Sequence, residues 1–227
     1  MSLAIKYLLF DMDGLLTDSE RVTFEIWKKI FRSHGYELTL DFYIKVIGMV
    51  DSEIHEFIDS NFPGIESETM VYPIWDAEYE TLAPAGGVPL KAGVKEILDY
   101  CDQKCLRRSV VSSNLQYWIE TILRADGVLD RFDHIVHGGM VTRGKPDPEP
   151  FLRSMELFGA RPEECLVLED SNSGILAGSR AGMHVICIPD LRHPSPEAEA
   201  CCDVVLPYLT DVISWLEANN KPLSEES

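Results

Sequence analysis

The run from Ile5 to Phe10 is almost continuously apolar and ends abruptly in Asp11-Met12-Asp13-Gly14. A short apolar run without polar alternation suits a strand buried on both faces, and hence a parallel sheet with helices packed on each side. Its C-terminal end opens directly into an acidic loop. In open α/β sheets that is where ligands collect.

The second half of the chain repeats the same grammar. Strand-like runs at 108–111, 133–136, 165–168, 185–188 and 204–206 alternate with helical patterns near 93–103, 115–126, 149–159 and 173–181. This alternation predicts parallel βαβ units, with residues 1–18 supplying one strand to the sheet built by residues 89–227. The fold class is therefore α/β, a Rossmann-like three-layer core. Between these parts, residues 19–88 read as helical segments broken by Gly48, Pro63 and Pro73, with Ser19 as the expected N-cap of the first helix. They predict an inserted, all-helical cap domain. The Gly- and Pro-rich segment Ala83 to Pro89 marks the return to the core, and the polar residues Lys221 to Ser227 are expected to fray.

Composition narrows the partners. Of 227 residues, 38 are acidic and 20 basic, a formal net charge of −18. The mean field then repels nucleic acid and anionic membranes, so neither is expected as a partner. A small anionic metabolite could still bind where a metal or a placed cation overcomes that field. No stretch has the 18 or so apolar residues that span a bilayer, and no signal-peptide layout is present, so a cytoplasmic protein is expected. The six cysteines follow no zinc or redox spacing and read as reduced thiols, although Cys101 and Cys105 could face one another on a helix. Either a monomer or a weak homodimer fits.

Four strand ends carry unusual polar groups: Asp11 and Asp13, Ser112, Glu169 with Asp170, and Lys145 in the loop before a helix. A single aspartate at a strand end is commonly a turn or cap residue. Together these residues supply a carboxylate cluster, a hydroxyl donor and one cation, the equipment of phosphoryl transfer. Gathered carboxylates repel one another unless a divalent ion sits among them, and hard oxygen ligands without histidine or thiolate suit Mg2+. Asp11 is then placed to attack phosphorus, and Asp13 to protonate the leaving oxygen and later activate water. Gly14 lets backbone N–H groups approach the phosphoryl group. Ser112 and Lys145 stabilise its oxygens, the lysine being held between Gly144 and the prolines Pro146 and Pro148.

The ordered set resembles the four motifs of the haloacid dehalogenase superfamily: Asp11-Met12-Asp13-Gly14-Leu15-Leu16-Thr17-Asp18-Ser19, then Ser112 in Val110-Val111-Ser112-Ser113-Asn114, Lys145 in Gly144-Lys145-Pro146-Asp147, and Leu168-Glu169-Asp170-Ser171. The resemblance covers essentially the entire chain and points to the beta-phosphoglucomutase-like branch. It implies Asp11 as nucleophile, Asp13 as general acid/base, and Mg2+ held by the Asp11 side chain, the Asp13 carbonyl, Asp170 and, directly or through water, Glu169. It also implies a mobile cap, with Ser113 and Asn114 beside the substrate.

Asp13 argues against dehalogenation, because family members that remove halide lack the second aspartate. Where the mutase carries a histidine, a cap arginine and a phosphate-facing lysine, this chain has Thr23, Asp51 and Leu115. A distal phosphate loses its cationic partners, so the expected function is a Mg2+-dependent phosphatase acting on a small phosphorylated metabolite such as a sugar phosphate. A sugar-phosphate mutase is the alternative, and a non-catalytic Mg2+- and phosphate-binding regulator a more distant one. Trp27, the 48–51 turn with Asp51, and Glu78 are cap candidates for the leaving group, although Trp27 could simply pack the cap. Arg21 could meet substrate or hinge, or stay solvated.

Overall fold

In the computed structural model, residues 3–49 and 51–220 are described, with the side chain of Asp51 outside that description. Six strands form one parallel sheet: β1 (Tyr7–Phe10), β2 (Arg107–Val111), β3 (His134–Val136), β4 (Cys165–Glu169), β5 (His184–Cys187) and β6 (Val204–Val205). Their order is β3-β2-β1-β4-β5-β6. The order reverses between β1 and β4, so a crevice opens beyond their C-terminal ends.

Successive side chains of a strand point to opposite faces, and the core divides accordingly. Leu8, Phe10, Val110, Leu166 and Leu168 face a cluster containing residues of α5 (Val94–Gln103), α6 (Gln116–Ala125) and α10 (Asp211–Asn219). Leu9, Val111, Val167 and Val185 face a second cluster with α7 (Glu149–Phe158), α8 (Asn172–Arg180) and the short α9 (Pro196–Glu199). Burial on both faces explains why β1 reads as an unbroken apolar run. The three-layer α/β core expected from the sequence is present.

Between β1 and α5 the chain forms the inserted helical cap, with α1 (Ser19–Ser33), α2 (Leu40–Val46), α3 (Asp51–Asn61) and α4 (Tyr72–Leu82). Its interior is aromatic: Phe62 packs edge-on against both Phe31 and Phe42, and Trp27 meets Tyr43 at 90°. The outgoing and returning connections run side by side, because Asp18 N donates to Pro89 O at 2.9 Å and Lys91 N to Leu16 O at 2.9 Å. This two-stranded neck places the cap over the crevice.

Three local expectations are corrected. Ser19 is not the N-cap of α1: Asp18 holds that position, and Ser19, already inside the helix, donates its hydroxyl to Asp13 instead. Pro73 does not break a helix but sits in the first turn of α4, where no N–H partner is needed. Cys101 and Cys105 do not share a helix, since α5 ends at Gln103 and Cys105 takes a positive φ of 54° in the following turn. All six cysteines are free, three of them buried and Cys105 exposed. The 221–227 tail lies outside the described residues.

Candidate active site

Each predicted core residue emerges at the expected end of the sheet. The loop after β1 turns tightly, with Leu16 N and Thr17 N both donating to Met12 O at 2.8 and 3.0 Å, so Asp11 and Asp13 project into the crevice. Lys145, from the loop before α7, reaches across the sheet ends. Its Nζ donates to Asp11 Oδ1 at 2.5 Å, Glu169 Oε1 at 2.6 Å and the Val111 carbonyl at 3.0 Å. All three ammonium protons have acceptors. Burial opposes the charge, but the Asp11 and Glu169 carboxylates outweigh it and hold the lysine above its usual range.

Glu169 is fully buried. Its Oε2 accepts from Asp170 N at 3.1 Å, Ser171 N at 3.0 Å and Ser171 Oγ at 2.8 Å. Asp11, Glu169 and Asp170 each offer a carboxylate oxygen, and these lie within 4.8 Å of one another. Burial, followed by the negative charge of Glu169, pushes both Asp11 and Asp170 well above the ordinary carboxyl range, with Lys145 opposing the shift at Asp11. Asp170 Oδ1 is buried and has no hydrogen-bond partner among the described residues. A buried orphan oxygen beside two further carboxylates fits a hard divalent cation.

Gly14 closes that side of the site. Its φ is +83°, and a Cβ there would stand 2.2 Å from Asp170 Oδ2. Only glycine allows the acidic loop and Asp170 to approach so closely. Gly174 does the same for Glu169, whose Oε1 would lie 1.7 Å from an added Cβ.

Asp13 is oriented by two hydroxyls. Ser19 Oγ donates to its Oδ1 at 2.8 Å and Ser112 Oγ approaches its Oδ2 at 3.5 Å, while Asn114 N donates to Ser112 Oγ at 3.0 Å. Burial raises its pKa, and the hydrogen bond from Ser19 and the charge of Lys145 oppose the shift. Ser113 is exposed next to them.

Above Asp13 a cavity of about 590 Å³ runs into the cap, lined among others by Ser19, Glu20, Trp27, Tyr43, Asn114 and Leu115. Trp27 therefore both packs the cap and borders the cavity. Glu78 is not among the lining residues and lies 3.5 Å from Lys29, while Arg21 pairs with Asp18 and Asp190 at the neck. The Asp51 side chain lies outside the described residues.

Sequence reasoning missed Glu20, Tyr43, Gly174 and the use made of Ser19. Glu20 Oε2 accepts from Tyr43 Oη at 2.7 Å. Burial raises the Glu20 pKa to about 7 against that hydrogen bond, with Asp13 and Asp190 adding to the rise. The adjacency of Ser19 and Glu20 to the first acidic motif was the available signal. Tyr43 gave none, because its meeting with Glu20 depends on how α2 packs on α1.

The family model of haloacid dehalogenase-like hydrolases matches residues 8–188. A validoxylamine A 7'-phosphate phosphatase of Streptomyces hygroscopicus subsp. limoneus is 30% identical over 207 residues, covering 91% of this chain and 95% of that protein. A phosphorylated carbohydrates phosphatase of Thermotoga maritima is 30% identical over 181 residues, covering 79% and 82%. The crystal structure of a HAD family hydrolase from Deinococcus radiodurans superposes with a TM-score of 0.81 at 21% identity, covering 97% of this chain and all of that one, a likeness of fold. With four strand-end motifs converging on one crevice and a family match spanning most of its length, the chain belongs to the haloacid dehalogenase-like hydrolases.

Proposed function

We propose that this hydrolase is a Mg2+-dependent phosphatase that cleaves a small phosphate monoester, a sugar phosphate or related polyol ester, by way of a phosphoryl group carried on Asp11. The observation that carries the reading is the Lys145 ammonium lying between Asp11 and Glu169, next to an Asp170 oxygen without a partner. Asp11, Asp170 and the Asp13 carbonyl, with Glu169 directly or through water, would hold the ion. Bound Mg2+ supplies positive charge that lets a phosphate dianion approach a carboxylate.

The residues then divide the work. An Asp11 oxygen forms a bond to phosphorus as the bond to the leaving oxygen breaks, and the proton on Asp13 passes to that oxygen. Raised by burial, Asp13 is suited to carry that proton. Now ionised, it takes a proton from water, whose oxygen attacks phosphorus, releasing phosphate and restoring Asp11. Lys145 and Ser112 donate to the phosphoryl oxygens throughout, and cap closure keeps bulk water away.

Hydrolysis is favoured over mutase chemistry by the cavity above Asp13, where no Lys, Arg or His appears among the described lining residues. Thr23 accepts from the Trp75 indole at 3.2 Å, and Leu115 offers only apolar surface. Within that cavity a distal phosphate would meet Glu20, while Arg192 and His193 line the adjoining pocket on the Asp170 side. The printed names of two relatives at 30% identity, both phosphatases, support the same reading. A purely regulatory binder would have no use for Asp11 and Asp13 together.

The test is release of inorganic phosphate from p-nitrophenyl phosphate with Mg2+ and with EDTA. Turnover should require the metal and vanish in Asp11→Asn, an amide of similar shape that is a poor nucleophile. Retention of more than a few per cent of kcat in that variant would rule out covalent catalysis through Asp11. Rapid conversion of beta-glucose 1-phosphate to glucose 6-phosphate, with little free phosphate, would favour the mutase.

A further inference from the structure

The Lys145 side chain is 6% exposed, but the loop that carries it is not buried: Thr142, Arg143, Gly144 and Pro146 are all exposed. No strand or helix includes residues 141–148. The loop is closed instead by Glu149, the first residue of α7, whose Oε1 accepts from Thr142 N at 2.7 Å and Oε2 from Arg143 N at 3.0 Å. One carboxylate thus fastens the start of the loop to its end. The Thr142 N–H, together with the N–H and charge of Arg143, holds that carboxyl below its usual range. On the far side of Lys145, Arg180 of α8 donates to Pro146 O at 2.8 Å. The helix that supplies Glu149 also supplies Phe151, fully buried, whose ring centroid lies 5.0 Å from Lys145 Nζ.

Resting on the hydrolase reading, we propose that Glu149 is a positioning residue of the reaction: by clasping the backbone of Thr142 and Arg143 it fixes where the Lys145 ammonium stands against Asp11 and the transferring phosphoryl group. Lysine is a point charge on a flexible four-carbon stem, so its placement comes both from its acceptors and from whatever holds its backbone. In the resting site Asp11 and Glu169 grip the ammonium. Once Asp11 carries the phosphoryl group its carboxylate charge is spent, and that grip weakens at the stage when the phosphoryl oxygens need the cation. Placement then falls to Glu169, the Val111 carbonyl and the loop. Rate is steeply sensitive to small misplacements of this kind, even when their origin lies away from the chemistry. A carboxylate in the first turn also favours α7 on its own account, a role that acts through stability and not through Lys145.

The two roles separate in a double-mutant cycle with Lys145, read by hydrolysis of p-nitrophenyl phosphate at saturating Mg2+ on protein shown by thermal melts to be folded. Glu149→Ala should lower kcat/KM about 10-fold, chiefly through kcat, with Mg2+ affinity unchanged. Glu149→Gln keeps one acceptor oxygen but turns an amide N–H towards the second backbone N–H, so its loss should be intermediate. It carries the same comparison should Glu149→Ala not fold. In a Lys145→Ala background either change should cost less than about 2-fold, because no ammonium is left to place. Losses of equal size in both backgrounds would make Glu149 a stabiliser of α7 and overturn the inference, as would wild-type kcat in Glu149→Ala. An inactive wild type would strike the hydrolase reading itself, whereas an active wild type with an undisturbed Glu149→Ala strikes this inference alone.

Discussion

Lys145 Nζ stands 2.6 Å from Glu169 Oε1, and Glu169 has no solvent exposure at all. The lysine therefore neutralises a carboxylate that water cannot reach, and in the proposed mechanism it also stabilises charge on the reacting phosphoryl group. Lys145→Ala should lower kcat/KM by ~100-fold or more. It should also destabilise the fold by about 3 kcal/mol, because it leaves a buried charge unpaired. Asp170→Ala separates the roles: it removes an oxygen that already lacks a partner, so the metal-free protein should be no less stable while Mg2+ affinity collapses. Calorimetry and thermal melts on the two variants decide, and unchanged Mg2+ affinity in Asp170→Ala would take that residue out of the ligand set.

Gly14→Ala should damage metal binding without touching any ligand. A Cβ at φ +83° would sit 2.2 Å from Asp170 Oδ2, so either the loop or the carboxylate must move. The strained backbone alone costs about 1–3 kcal/mol. The expected result is a lowered Tm together with weakened Mg2+ affinity. A variant with wild-type affinity for Mg2+ would show that the close approach is dispensable.

The candidate site was legible to the extent that strand ends announce themselves. Asp11, Asp13, Ser112, Lys145 and Asp170 each follow an apolar run or sit in a Pro-framed loop, and parallel topology brings such positions together. What stayed hidden depends on packing between distant elements. Arg21 and Asp190 are 169 residues apart, and nothing local marks their meeting. Ser19 reads as an N-cap by residue type, but its hydroxyl has a stronger acceptor in Asp13 at 2.8 Å. Glu20 looks like an ordinary first-turn acid until Tyr43 of α2 is placed against it.

Glu20 should impose a measurable pH dependence on stability. Its pKa in the folded protein is raised to about 7 from the ordinary 4.5, chiefly by burial. The native state thus binds this proton more tightly than the unfolded chain, so the stabilisation is fully present below about pH 4.5 and is lost as pH rises to about 7. Gln mimics the protonated form. Metal-free Glu20→Gln should match the wild type near pH 4.5 and exceed it in Tm above pH 7. Parallel Tm curves across that range would mean that Glu20 ionises in the native state as it does in water.

The neck of the cap should loosen when Asp190 is removed. Asp190, in the loop after β5, has a side chain only 2% exposed, and it accepts hydrogen bonds from Arg21 at 2.7 Å and from Lys91. Arg21 belongs to the first turn of α1 and Lys91 to the returning connection, so one carboxylate ties both passages between cap and core. Asp18 also pairs with Arg21 at 2.6 Å, but it is more exposed and lies 3.8 Å from Lys91, too far to replace the lost partner well. Asp190→Ala should therefore cost about 1–3 kcal/mol, the penalty of leaving partly buried charged donors without their acceptor. The effect should be local. Hydrogen exchange should quicken at the amides of Asp18 and Lys91, which donate to Pro89 O and Leu16 O across the neck, while the β1 and β4 amides keep their protection. Uniform acceleration across the sheet would instead make Asp190 a general stabilising residue, and unchanged exchange at both neck amides would remove it from the hinge.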